Sequence, residues 1–187
     1  KDAAGDVSVQ LELFEGYLKV GDRQGNPNVA DLGNLAGAKE SYSKALRAAE
    51  DLRARNPKDA RFQHNVARAD IKLVALSEFS GNPAEALKNY RQALGILESL
   101  GSADRGVQRS LLIASDGIGT EQGQLGDTSG ALNSFQSSLQ IAKELYAVHP
   151  NDSPAHPRVA VSYPQLGRAV ADYRAGPEGV ESEKRGR

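Results

Sequence analysis

The chain has 187 residues, 39% of them apolar and 19 of them glycine, enough for an ordinary buried core in one large domain or two small ones. Its 23 lysines and arginines stand against 24 aspartates and glutamates, so a net charge of −1 removes any global electrostatic reason to bind nucleic acid or acidic membranes. The lack of cysteine excludes disulfides and thiolate metal sites; no apolar run approaches the roughly 20 residues of a membrane span, and no charged-then-apolar signal opens the chain.

In chain order the sequence predicts helices over 8–24, 35–55, 59–80, 83–100, 104–125, 128–148 and 152–175. The period is clearest in KNYRQALGILESL at 88–100, where Tyr90, Ala93, Leu94, Leu97 and Leu100 fall three or four residues apart and share one face. Three stretches align without gaps: GNLAGAKESYSKAL at 33–46, GNPAEALKNYRQAL at 81–94 and GDTSGALNSFQSSL at 126–139. A second column, PKDARFQHNVARADIKL at 57–73, SADRGVQRSLLIASDGI at 102–118 and PNDSPAHPRVAVSYPQL at 150–166, alternates with the first. The start of each first-column segment carries the chemistry of a helix boundary. Gly33, Gly81 and Gly126 suit the positive φ that ends a helix. Asn34, Asn82 and Asp127 are N-caps, Pro83 fits the first helical position, and Glu85 can close a capping box with Asn82. The insertion NPNVA at 26–30 predicts an exposed loop. The tail GPEGVESEKRGR at 176–187 is expected to be flexible and charged.

Residues 116–123, DGIGTEQG, raise the possibility of a phosphate-binding turn. The spacing is G-x-G-x-x-x-G, no G-x-x-x-x-G-K-[ST] occurs, and in the repeat register Gly119 falls mid-helix opposite Gly21, Val74 and Gly167. A small residue there predicts close approach of a neighbouring helix. Such glycines cost the helix up to ~1 kcal/mol each, so the helix over 104–125 depends on its neighbours.

Leu166-Gly167, the sets Ala38/Tyr42/Ala45, Ala86/Tyr90/Ala93 and Ala131/Phe135/Ser138, and Pro57 and Pro150 resemble the tetratricopeptide repeat (TPR) family over most of 8–175. The resemblance implies an all-α, right-handed α-solenoid of about three and a half repeats and seven helices. Its hairpins would span 8–55, 59–100 and 104–148, followed by a terminal helix at 152–175. Repeat offsets of 48 and 45 residues exceed the family's ~34, so its superhelical twist does not carry over. YLKVGDRQGNP at 17–27 and DLGNLAGAKESYSKAL at 31–46 also resemble C-terminal repeat segments of bacterial serine/threonine protein kinases. A chain without methionine that begins at Lys1 is accordingly expected to be a segment of a longer polypeptide.

In such a solenoid the first helix of each hairpin lines a concave groove for a peptide or partner helix. Helical spacing turns Lys19, Asp22, Ile71, Ala75, Glu78, Phe79, Asp116, Thr120, Gln124, Arg168 and Asp172 toward it. Phe79, the large apolar one, reads more readily as a cap on the core of its own repeat, since apolar residues at helical spacing usually pack inward. The Lys and Asn carboxylate grip of some TPR proteins is missing, because Asp22, Ala75, Thr120 and Arg168 hold those positions.

Chemistry is sparse. No kinase H-R-D or D-F-G and no G-x-S-x-G elbow occurs, so the segment is expected to be noncatalytic and without a cofactor. The expectation is a cytoplasmic protein-interaction scaffold, with no nucleic acid and no membrane insertion. The alternative is a regulatory or sensor domain binding a small molecule or metal, with His149, Asp152 and His156 as first suspects. Val159, Val161, Leu166, Val170 and Tyr173 give the terminal helix an apolar face, covered either by the helix at 128–148 or by a second copy in a homodimer.

Overall fold

A computed structural model describes residues 3–25, 34–77, 81–101, 104–148 and 167. It contains α1 (Ala3–Gln24), α2 (Leu35–Arg55), α3 (Ala60–Ser77), α4 (Pro83–Ser99), α5 (Arg105–Gln124) and α6 (Thr128–Val148), with no strand among the described residues. The expected helix at 152–175, the tail at 176–187, the insertion at 26–30 and Gly33 lie outside them. The first helix starts five residues earlier than its sequence pattern predicts. Asp6 in its first turn pairs with Arg55 at the end of α2, which gives these extra residues a tertiary anchor.

The predicted boundaries form through local hydrogen bonds. Asn34 Oδ1 accepts from Gly37 N at 2.8 Å, Asn82 Oδ1 from Glu85 N at 3.3 Å and Asp127 Oδ1 from Gly130 N at 2.8 Å, each satisfying an N–H that the helix itself leaves unpaired. Asp104 does the same for Val107 at the start of α5. Glu85 answers Asn82 side chain to side chain, its Oε2 accepting from the Asn82 amide at 2.9 Å in place of the backbone N–H that a capping box would use. Between α5 and α6, Gly126 at φ 82° lets its own N–H reach the Gly123 carbonyl while Asp127 N reaches the Gln122 carbonyl, the two bonds of a Schellman turn.

Each helix packs on its neighbour in sequence, and α3 also touches α5. The core is consequently serial. Phe14, Leu18, Ala38, Tyr42, Ala45, Ala49, Val66 and Ala69 join α1, α2 and the near side of α3. Ala67, Ile71 and Val74 on the opposite side of α3 join Tyr90, Ala93 and Leu97 of α4 and Val107, Leu111, Ala114 and Ile118 of α5. On α5, Leu112 then turns to Ala142 and Leu145 of α6. Internal first helices therefore bury two stripes rather than one, and this corrects two sequence assignments. Ile71, expected to face a groove, is 4% exposed inside the second cluster; Asp116, also expected there, is 6% exposed and accepts a hydrogen bond from Ser138 of α6.

The mid-helix glycines serve packing. A methyl group on Gly119 would sit 2.7 Å from the Phe135 ring, and one on Gly21 would collide with the Tyr42 ring, so each aromatic of the second helix is seated against the glycine of its own first helix. Tyr90 behaves differently: its ring lies where a methyl on Gly117 would be, 2.5 Å away, in the first helix of the following hairpin.

Candidate binding face on the first helices

Polar contacts stitch α1, α3 and α5 together along one side. His64, Arg68 and Lys72 recur every four residues on α3 and so form a single stripe. Arg68 uses its guanidinium fork on Glu15 of α1, with Nη1 at 2.6 Å from Oε1 and Nη2 at 3.2 Å from Oε2, and it lies 5.2 Å from the centre of the Phe14 ring. Lys72 Nζ donates to Asp22 Oδ1 at 2.6 Å, and the same oxygen accepts from Tyr42 Oη at 2.7 Å, so Asp22 gathers α1, α2 and α3 at one atom. Burial, with the Asp22 carboxylate behind it, raises the Tyr42 phenol well above its ordinary pKa and keeps it a donor.

Between α3 and α5, His64 Nε2 and Ser110 Oγ are 3.0 Å apart. Burial lowers the imidazole pKa, the nearby Arg68 cation lowers it further, and Asp104, the Gly106 backbone and Glu15 pull the other way. A serine beside a histidine has the composition of a nucleophile and its base. Ser110 is only 6% exposed and sits within α5, where backbone N–H groups are committed to the helix and cannot serve as oxyanion donors. The pair is a hydrogen bond joining two helices.

Of the residues expected to face the groove, Lys19, Asp22 and Gln124 are exposed and Ala75 and Thr120 half-buried. Thr120 Oγ1 bonds back to the Asp116 carbonyl at 2.9 Å. Ile71 and Asp116 are inside, as described above; Glu78, Phe79, Arg168 and Asp172 lie outside the described residues. So do His149, Asp152 and His156 and the apolar face of 152–175 proposed for a homodimer. Sequence reasoning missed Glu15, His64, Arg68, Lys72 and Ser110. The four-residue period of His64, Arg68 and Lys72 was the available signal for the α3 stripe.

Among the described residues, no three His, Cys, Asp or Glu side chains gather closely enough to hold a metal ion, and no helix is long and apolar enough to cross a membrane. Comparison with protein-family models and with curated proteins returned no match to this chain.

Proposed function

We propose that this chain is a noncatalytic protein-interaction module, a TPR-like solenoid whose α1, α3 and α5 present a peptide-binding or helix-binding face. The observation carrying this reading is the continuous set of bridges Glu15–Arg68, Asp22–Lys72 and His64–Ser110, which holds three successive first helices in fixed relation. Lys19 on α1 and Gln124 at the end of α5 stand exposed, with neither side chain engaged in an ion pair or hydrogen bond among the described residues. A preorganised surface with unengaged polar groups binds with less ordering cost than a mobile one. The resemblance of 17–46 to kinase repeat segments extends the reading to a recruiting segment of a larger cytoplasmic bacterial kinase.

Photo-crosslinking residues placed at Lys19 and at Gln124 should each yield an adduct with the same partner. Lys88, exposed on α4, should yield none. Adducts forming equally from all three positions, or from Lys88 alone, would reject the first-helix face.

A further inference from the structure

A cleft of about 380 Å³ opens where α2, α3 and α4 meet, lined by Lys39, Asp70, Leu73, Val74, Glu85, Asn89 and Gln92. Its size lies at the small end of the ~300–1,000 Å³ typical of ligand sites. Apart from Lys39 of α2, the lining comes from the middle hairpin, and the repeat columns show that the flanking hairpins carry different residues at the matching positions. Where it has Val74, the flanking hairpins have Gly21 and Gly119; where it has Glu85, they have Gly37 and Gly130; where it has Asn89, they have Ser41 and Ser134; and where it has Asp70, they have Tyr17 and Ser115. In the flanking hairpins this region is closed by Ser41 Oγ on Gln24 Oε1 at 2.8 Å and by Ser134 Oγ on Gln122 Oε1 at 2.6 Å.

The cleft is rich in acceptors. Glu85, Asn89 and Gln92 follow one another at four and three residues along one face of α4, opposite Asp70 of α3, with Leu73 and Val74 between. No hydrogen bond to the Asp70 carboxylate forms among the described residues, although the group is half-buried. A half-buried carboxylate without a hydrogen bond favours an incoming cation, and several acceptors around an apolar floor favour a planar, weakly hydrated one with many donors over a compact ammonium. Lys39 on the α2 side suits a carboxylate carried beside that cation.

We infer that the cleft is a binding site for a guanidinium group, supplied by an arginine of a bound polypeptide or by free arginine. The inference stands apart from the first-helix face, since none of the seven lining residues contributes to the bridges described there.

The test titrates the full chain, labelled with ¹⁵N, with N-acetyl-arginine amide, with its neutral citrulline counterpart and with free arginine, following backbone shifts at about pH 7.5. The arginine amide should give saturable shifts at Asp70, Leu73, Asn89 and Gln92, and the citrulline amide should bind at least about tenfold more weakly. Asp70→Asn should weaken binding about tenfold. Gln92→Lys, at an exposed position that the fold does not need, should weaken it similarly. Lowering the pH to about 5 should weaken it as well. Glu50 and Arg53 of α2 act on Asp70, and Lys39 of α2 and Glu85 of α4 share its cleft; burial, then Glu50, raises its pKa to about 6 against the opposing pull of Arg53, so at pH 5 most of the carboxylate is protonated. Tighter binding of free arginine than of the amide assigns the site to a small molecule; equal or weaker binding assigns it to a polypeptide. Absence of saturable shifts, equal binding of the citrulline amide, or indifference to both substitutions overturns the inference.

Discussion

The middle hairpin, α3 with α4, departs from the hairpins on either side at the joint between its two helices. In α1–α2 and α5–α6 an aromatic ring sits against a glycine of its own first helix, Tyr42 on Gly21 and Phe135 on Gly119. A glutamine three residues later accepts from a serine of the second helix. In α3–α4 the glycine position is Val74 and the serine position is Asn89, and the ring of Tyr90 seats against Gly117 of α5 instead. Val74 brings a branched side chain to the column position where the flanking hairpins have the seating glycine. One aromatic column thus takes two kinds of glycine seat: Tyr42 and Phe135 lie against a glycine of their own first helix, and Tyr90 lies against a glycine of the following hairpin.

The largest expected effect follows from that division. Tyr90 is 2% exposed and packs in the cluster that joins α3, α4 and α5, whereas Phe135 clusters with Ala131 and Leu132 of its own helix. Tyr90→Ala should cost roughly 3–5 kcal/mol, as truncations of buried aromatics do. Phe135→Ala should cost clearly less. Urea unfolding followed by circular dichroism measures both, and equal losses would erase the distinction between a strut and a local closure.

Seating geometry makes the next prediction. Gly117→Ala places a methyl 2.5 Å from the Tyr90 ring, an overpacking expected to cost ~1–3 kcal/mol against up to ~1 kcal/mol regained in helix propensity. Val74→Gly reopens the home seat. If Val74 is what sends the ring to α5, Gly117→Ala should be milder by about 1 kcal/mol in the Val74→Gly background, a coupling that a double-mutant cycle reads directly. Strict additivity would mean that Val74 does not decide where the ring goes.

Most of the local structure was legible in the sequence, because caps and turns depend on residues within four positions of one another. Asn34, Asn82 and Asp127 cap as predicted, and Gly81 and Gly126 have the positive φ assigned to them. The packing role of Gly119 was legible too, since its register column places it mid-helix. The second buried stripe of α3 and α5 was not. A single apolar stripe is the signature of a helix with one neighbour, and residues such as Ile71 and Asp116 look outward until α5 and α6 are placed beside them. The choice of Gly117 over a home seat was equally hidden, because Tyr90 occupies the same column as Tyr42 and Phe135. Of the candidate face, Lys19, Asp22 and Gln124 were found as exposed positions, while the Glu15–Arg68 fork depends on a pairing between helices that spacing alone does not reveal.

A further substitution checks that the seated glycines are special rather than merely helical. Gly95 of α4 is exposed, and a methyl there meets nothing within 4 Å. Gly95→Ala should therefore stabilise the chain by about 0.5–1 kcal/mol, the difference in helix propensity between the two residues. A loss of stability would show that glycine is tolerated poorly when replaced anywhere in these helices, and the contrast with Gly117 would fail.

The smallest effect concerns Asp70, which the middle hairpin has where its neighbours have Tyr17 and Ser115. Burial, reinforced by Glu50 and partly offset by Arg53, raises its pKa from 3.8 to about 6. The folded chain therefore binds more protons at this site than the unfolded chain between those two values. Stability must fall as the pH rises through this window, with the full penalty present above about pH 6 and none below about pH 4. Asp70→Asn removes the charge at nearly constant shape, so it should stabilise the chain at pH 7.5 by about 0.5 kcal/mol, a figure discounted heavily for the solvent that reaches a partly exposed carboxylate. The gain should shrink as the pH is lowered and vanish near pH 4. Thermal unfolding of both proteins at pH 4, 5, 6 and 7.5 measures the difference directly. A gain that persists at pH 4 would trace to the amide rather than to the lost charge, and a variant less stable at pH 7.5 would mean that the carboxylate is held by the fold itself and is not waiting for a cation.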